Sequence, residues 1–494
     1  GHPPLGAHYD EAANAILADE IATGKTTPIF IRAYTGKEVG YFYLAAGMIR
    51  LVGQPLIGIR LASAFIGVLT VALCYRLARE LFGEEVRGTS IGLLAAAIQA
   101  GNLWAIAVSR LGFRAVLQPP LQALALIYLY RGLRGKGRRP WVNWVWAGLW
   151  CGLAAYSYLA IRAFPILLGL FVAYVLVLDP GQGGWGDPAP TRPVGRRPSR
   201  LKRLGQFALL GLVAALVFSP LGLFYARYPQ FFATRMGQVS VLNPQDPGSR
   251  WGPLWNATRV SFAMFVWRGD QNWRFNVPGA PALWWPVGAF FLLGVALGAW
   301  RLLRGEKEGD PLRRASYWLL LLWLPVMLLP SILGGQDVEL SLSLRAIGVQ
   351  PALYLWAAVG LVASARAAGQ LVEGWNLARV RRWILPGALA LLLVANTAHT
   401  AYQVFGVWGP SLPGYYVAYG DLVQAAEYVN TQIPPDARVY LSAEHYRHPT
   451  MALLTERYAD LHWLVGSEVL VLPSAESPDR ETWILLTHDA MPDE

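Results

Sequence analysis

Ten apolar runs dominate the chain: 56–82, 89–108, 115–130, 141–160, 163–178, 205–225, 282–303, 316–333, 346–366 and 384–404. Each approaches the ~20 residues that a membrane-spanning helix needs. The loops between them differ in charge. Alternate loops carry Arg76, Arg79 and Arg87; Arg131, Arg134, Lys136, Arg138 and Arg139; Arg192, Arg196, Arg197, Arg200, Lys202 and Arg203; Arg301, Arg304, Lys307, Arg313 and Arg314; and Arg366, Arg379, Arg381 and Arg382. One topology puts all five clusters on the same side, which the positive-inside rule makes the cytoplasm. The pattern predicts an all-α polytopic membrane protein. Residues 1–55, the turns near Ser109–Arg114 and Ile161–Arg162, the loops 226–281 and 334–344, and the tail 405–494 then lie outside.

Within the first outer segment, Glu11–Ile21 has helical spacing, with Ala12, Ala15, Ile16 and Ile21 on one face. Tyr41–Val52 is a second amphipathic stretch, and both are expected to lie along the membrane surface. The tail reads as a helix over Asp421–Asn430, with Leu422, Ala425, Ala426 and Val429 on one face, and strands at Arg438–Ser442, Glu468–Leu472 and Thr482–Thr487. The expected organisation is an outer loop with surface helices at 1–55, a transmembrane domain at 56–404 and a small extracytoplasmic α/β domain at 405–494. The proline- and glycine-rich stretch 179–200 reads as a cytoplasmic linker. An outer stretch ahead of the first span predicts a further helix before it. The chain therefore reads as a fragment, with about ten visible spans plus that one.

Composition supports the membrane class: 54% of residues are hydrophobic and 15% charged, against roughly 25% charged in soluble domains. The net charge of +11 sits in short loops between apolar runs, so it is an orientation signal and does not call for nucleic acid. Cys74 and Cys151 both fall in apolar runs and imply neither a disulfide framework nor a thiolate metal site.

Candidate chemistry gathers outside. Asp10 and Glu11 stand together in Gly6-Ala7-His8-Tyr9-Asp10-Glu11; Lys37, Glu38, Arg110, Arg114, Arg162, Arg268, Asp270, Asn272, Arg274 and Arg345 share that side. A sugar on a lipid phosphate is an activated donor whose leaving group is a phosphate, and the guanidinium fork matches phosphate oxygens. An acceptor hydroxyl needs a carboxylate to take its proton as it attacks. One carboxylate plus several arginines suffice for single-displacement glycosyl transfer with inversion. Plainer readings stand beside these. An acidic pair also suits a helix N-terminus, and Arg162 suits a lipid headgroup as well as a substrate. Arg110 and Arg114, one helical turn apart, fit a paired phosphate grip or anionic lipid. Arg345 fits a span anchor, and Lys37-Glu38 a surface ion pair. His445 and His448 have a spacing compatible with a metal, at a strand-to-loop junction with no nearby thiolates.

Several local strings together resemble the family-39 glycosyltransferases, the bacterial relatives of protein O-mannosyltransferases and of lipid A aminoarabinose transferases. They are His8-Tyr9-Asp10-Glu11-Ala12; Gly36-Lys37-Glu38 with Tyr41-Phe42-Tyr43-Leu44; Arg60-Leu61-Ala62-Ser63-Ala64; Ser109-Arg110-Leu111-Gly112-Phe113-Arg114; Gly269 to Gly279; and Leu344-Arg345-Ala346-Ile347-Gly348. The resemblance runs through residue ~366 and implies the C-type glycosyltransferase architecture with a polyprenyl-phosphate sugar as donor. It also implies Asp10 as general base, Glu11 beside it shaping the acceptor site, and Arg110, Arg114, Arg162 and Arg345 as phosphate-binding candidates. Lys37, Glu38, Asp270 and Asn272 become substrate or metal candidates. The family uses a divalent metal in some members only. The implied acceptor is a hydroxyl on a protein, lipid or glycan, and the implied setting is the bacterial cytoplasmic membrane with the site facing outward. Two other classes remain: a transporter or flippase of lipid-linked sugars, and a membrane-mounted binding protein whose tail does the work.

Overall fold

The computed structural model describes residues 6–34, 36–84, 86–178, 199–232, 251–304, 311–334, 342–374, 383–465 and 481–488. All ten apolar runs are helical within these limits. Among the described residues seven helices are long and apolar enough to cross a membrane, or eight if a bent pair counts as one span. The protein is a multi-pass membrane protein.

Three of the predicted spans depart from straight 20-residue helices. The run 89–108 breaks into α4 (Val86–Ala100) and α5 (Leu103–Arg110), which bend by 59°. Asn102 accounts for the break: its Oδ1 caps α5 by accepting the Ala105 amide at 3.2 Å, and its Nδ2 donates to the Ala282 carbonyl at 2.7 Å. The freed Gly101 carbonyl accepts from Asn396 and Thr400, both at 2.8 Å. Polar partners thus replace the helical bonds a break would otherwise leave open in an apolar setting. The runs 115–130 and 141–160 become α6 (Gln118–Leu133) and α7 (Trp141–Ala154), only 16 and 14 residues long. α7 ends early because the Tyr156 carbonyl just beyond it accepts the Gly40 amide at 2.9 Å.

The helices sort from centre to rim. The helical run Ile347–Leu371, most of it in α13 (Gln350–Gly374), is the most buried of these spans, at 89% of its apolar stretch. α9 (Arg200–Arg227) has 6% buried and forms the lipid-facing edge. α3 (Pro55–Phe82) begins with Pro55 at its first turn, after Gly53 ends α2 (Gly40–Val52) in the left-handed conformation. Its far end carries the buried Glu80, bridged by Arg76 and by Lys136 at 2.5 and 2.9 Å. That network marks the basic end of the bundle.

The outer segment differs from its reading. α1 (Tyr9–Ala22) is not a surface helix with one buried face: Ala12, Ala13, Ala15, Leu17, Ala18 and Ile21 are buried around its circumference, while Ile16 is only half-buried. The tail is the reason. The Thr450 hydroxyl donates to the Ala7 carbonyl at 2.6 Å, and α16 (Pro449–Leu454) packs along α1. Within 226–281 the chain also forms α10 (Trp251–Ala263), a helix the loop reading lacks.

The tail domain is α/β. α15 (Gly420–Thr431) buries Leu422, Ala426 and Val429, as its periodicity predicts. β3 (Arg438–Ala443) is the central strand of a parallel sheet, flanked by β4 (Leu461–Val465) and β5 (Thr482–Leu486). β4 is an addition to the predicted strands, and the expected strand 468–472 lies outside the described residues.

Candidate active site

The His8 imidazole starts the site by capping α1: its Nδ1 accepts the Asp10 amide at 3.1 Å. This fixes the first helical turn and sends its two acidic neighbours in different directions. Asp10 stays 43% exposed, whereas Glu11 is 1% exposed.

Glu11 is fully committed. Its carboxylate takes a bidentate pair from Arg60, Nε to Oε1 and Nη2 to Oε2, both at 2.8 Å, and the Gly112 amide at 3.0 Å. Arg60 also donates to the Gly6 carbonyl at 2.6 Å. A side chain at position 112 would run into Ile59, with its Cβ 2.2 Å from Ile59 Cδ1, so glycine lets this loop reach the carboxylate. Glu11 therefore ties α1 to α3 and to the turn after α5. The structure gives it this tie, and Asp10 beside it keeps the exposed carboxylate. Arg60, present in one of the strings above, is the partner that sequence reasoning passed over.

Asp10 receives Arg274, with Nη2 2.7 Å from Oδ2. Burial alone would raise the Asp10 pKa; Arg274 first, then Lys37, outweigh it and hold the carboxyl well below the ordinary carboxylate range. The group is an anion at any working pH, with one oxygen engaged.

Strand β2 (Lys37–Glu38), paired with β1 (Phe30–Ile31), joins this carboxylate to the membrane. Alternation along a strand points neighbours to opposite sides. Lys37 donates to Asn14 Oδ1 at 2.6 Å, under the ring of Tyr34 and on the Asp10 side. Glu38 accepts Arg114 Nε at 3.1 Å, with both side chains buried. The pair is thus two buried contacts and not a surface ion pair. Glu38 and Arg162 line a cavity of about 470 Å³ whose walls include Leu168, Leu210, Phe218 and Leu221. Arg162 donates to the Phe232 carbonyl at 2.8 Å and to the Tyr225 hydroxyl at 3.4 Å.

The remaining candidates lie elsewhere. Arg110 and Arg114 do not share a helix face: α5 ends at Arg110, and Leu111 is extended. Arg110 sits near Arg60 and Arg114 beside Tyr158, so the paired grip is not formed. Arg345 donates to the Gly334 carbonyl. Asp270 is 1% exposed and its oxygens accept the Asn272 and Ser343 amides at 3.0 and 2.8 Å. Burial raises its pKa. Asn272 Oδ1 accepts the Arg274 amide at 2.9 Å. Both are loop supports.

A divalent metal does not fit this set. Among the described residues no three His, Cys, Asp or Glu side chains converge. Asp10, Glu11 and Glu38 each face arginine, and Asp270 faces backbone amides. His445 and His448 lie with rings parallel, centroids 6.0 Å apart, and His448 Nδ1 instead accepts the Thr450 amide.

The histidines do join the tail to the site. Tyr9 packs edge-on against His445 and His448, and His8 against Tyr419. Burial, with His445 adding to it, lowers the His448 pKa from 6.5 to about 3. Above pH 6.5 the imidazole is neutral in folded and unfolded chain alike. Between 6.5 and about 3 the unfolded chain binds a proton that the folded chain refuses, so stability falls as pH falls. The buried His8, also lowered, has the same sign. His448→Asn keeps the cap and removes the titration. Melting followed in nanodiscs from pH 8 to pH 5 is expected to drop more steeply in the native chain than in this variant; equal slopes would clear His448.

Residues 37–190 match the family described as dolichyl-phosphate-mannose-protein mannosyltransferase. Undecaprenyl phosphate-alpha-4-amino-4-deoxy-L-arabinose arabinosyl transferase 2 of Pseudomonas fluorescens is 31% identical over 182 residues, covering 34% of this chain. The match spans 31% of that relative's own length. The crystal structure of ArnT from Cupriavidus metallidurans bound to undecaprenyl phosphate aligns with TM-score 0.53 and 15% identity, over 97% of this chain and 86% of that one. The archaeal oligosaccharyltransferase AglB from Archaeoglobus fulgidus, in complex with an inhibitory peptide and a dolichol-phosphate, aligns with TM-score 0.51 and 15% identity, over 92% and 60%. The chain has the C-type glycosyltransferase fold, and its residues 37–190 are similar to the dolichyl-phosphate-mannose-protein mannosyltransferase family.

Proposed function

We propose that this protein is an inverting membrane glycosyltransferase that moves a sugar from a polyprenyl-phosphate donor to a hydroxyl acceptor on the extracytoplasmic side. One observation carries the reading. A permanently ionised, half-exposed Asp10 stands on one side of β2, and on the other side Glu38 and Arg162 edge an apolar cavity. The cavity walls suit a prenyl chain, and the Arg162 guanidinium suits its phosphate. Arg114 stands behind, held by Glu38.

In the reaction, the acceptor oxygen attacks the anomeric carbon while the bond from that carbon to the phosphate oxygen breaks. The acceptor proton passes to Asp10, and the phosphate leaves on its lipid with both electrons of the broken bond. Arg162 meets the charge that collects on the leaving phosphate. The tail's rings pack against His8 and Tyr9, the two residues just before Asp10. The basic end of the bundle, on the opposite end of α3, faces the cytoplasm of a bacterial inner membrane. The flippase reading calls for charged or broken helices at the midplane; the break between α4 and α5 falls at Gly101-Asn102, which carry no charge, and Asp10 and Glu38 belong to the segment ahead of α3.

The test is turnover of a panel of polyprenyl-phosphate sugars by the protein in nanodiscs. Lipid phosphate released with the sugar transferred or hydrolysed supports the reading; donor carried across liposomes uncleaved sinks it. Arg162→Ala is expected to raise the donor KM about tenfold, near 1.4 kcal/mol, with a smaller change in kcat. An unchanged KM would move the phosphate away from Arg162.

A further inference from the structure

The loop between α10 and α11 (Trp285–Arg304) is built around one side chain. Asp270 pins it to the Ser343 amide, and Asn276 closes it by donating to the Asp270 and Ala280 carbonyls at 3.0 and 2.8 Å. Asn272 turns the backbone so that Arg274 faces inward. There the guanidinium lies over Phe113 and Phe275, with Cζ 4.5 and 4.8 Å from the ring centroids, while the two rings meet edge to face at 5.7 Å. Cation–π contact on two rings fixes a long side chain that would otherwise sample many rotamers. Its Nη2 reaches Asp10 at 2.7 Å, and its buried Nε has no hydrogen-bond partner among the described residues.

We propose that Arg274 is the positioning residue for Asp10: by holding Oδ2 it fixes the carboxylate and leaves Oδ1 to take the acceptor's proton. This rests on the reading of Asp10 as the base. Other groups face Asp10: Lys37 from β2, Tyr34 from the turn before it, and His8 on its own segment, with His445 and His448 of the tail behind His8. Of these, Arg274 acts on the carboxylate most strongly and donates the hydrogen bond to it. Lysine would supply the charge without the planar fork that lies between the rings.

The sign follows from burial. Remove the guanidinium, and desolvation of Asp10 is opposed chiefly by Lys37, so its pKa rises. The acidic limb of kcat/KM then moves upward into the measurable range.

The experiment compares wild type, Asp10→Asn, Arg274→Met, Arg274→Lys and the double variant Asp10→Asn/Arg274→Met in nanodiscs. It uses a polyprenyl-phosphate sugar that the wild type turns over, from pH 4.5 to 8.5, with melting curves to confirm folding. Arg274→Met is expected to lower kcat about 10²-fold, the usual scale for a misplaced catalytic group, and to shift the acidic limb upward. Donor KM is expected to change less than about twofold, within 0.4 kcal/mol. Arg274→Lys is expected to restore part of both kcat and the pH profile. The double variant is expected to be no slower than Asp10→Asn. A large rise in donor KM with an unmoved acidic limb overturns the proposal and makes Arg274 a phosphate grip. Loss of folding in Arg274→Met with a wild-type profile in Arg274→Lys reduces it to a structural residue. Activity surviving in Asp10→Asn defeats the base reading itself, a separate result from an inactive Asp10→Asn with an unmoved Arg274→Met.

Discussion

Asp10→Asn is expected to lower transfer at least 10²-fold, toward the upper range of about 10⁴ for a lost general base, while the protein still folds and binds donor. The substitution keeps shape and a hydrogen-bond acceptor for Arg274, but it removes the charge that takes the proton. Asp10 itself is 43% exposed, but Arg274 is only 13% exposed and loses its ionised partner, so the melting temperature is expected to fall while the fold is kept. That combination separates a chemical role from a structural one. Single-turnover transfer of a polyprenyl-phosphate sugar measures it, with donor binding checked alongside. Retained transfer would turn attention to Glu38, the carboxylate that lines the cavity. The pH profile adds a check of sign. Arg274 and Lys37 hold Asp10 ionised well below the usual range, so activity is expected not to fall from Asp10 protonation anywhere between pH 5 and pH 8.

Much of this arrangement is legible along the chain, and the parts that are not share a physical cause. Long apolar runs announce helices because lipid forbids unsatisfied backbone. They do not announce where polar side chains from distant segments let a helix stop, as Asn396 and Thr400 do at Gly101. The acidic pair is visible as a pair, yet its two members have opposite fates, set by Arg60 at 49 positions' distance and Arg274 at 264. Periodicity in α1 points to one buried face; a docking tail 443 positions away buries the rest. Asp270 and Asn272 have the composition of a metal or substrate site. Their oxygens instead serve backbone amides, a use that composition does not distinguish. Arg60 had a signal, since it opens a quoted string at the start of a span, where an arginine facing apolar neighbours requires a partner.

Breaking that partnership is the second large effect. Glu11→Ala leaves Arg60 without its bidentate acceptor and the Gly112 amide without its carboxylate. Removing one member of a buried pair costs about 3–5 kcal/mol, because the other charge is left uncompensated. Arg60 remains 27% exposed and can recruit water, which places the expected cost near the lower end, about 3 kcal/mol. The loss falls on the joint between α1, α3 and the turn after α5, so the expected result is less folded protein and a lower melting temperature. The double variant Glu11→Met/Arg60→Leu tests the cause. It fills similar volume with apolar side chains and removes both charges, so it is expected to be more stable than Glu11→Ala, as apolar replacements of buried pairs generally are. Melting of the wild type, Glu11→Met, Arg60→Leu and this double variant in nanodiscs gives the coupling directly. A coupling near zero would mean that Glu11 acts through the Gly112 amide, and that Arg60 is free for a lipid or substrate phosphate.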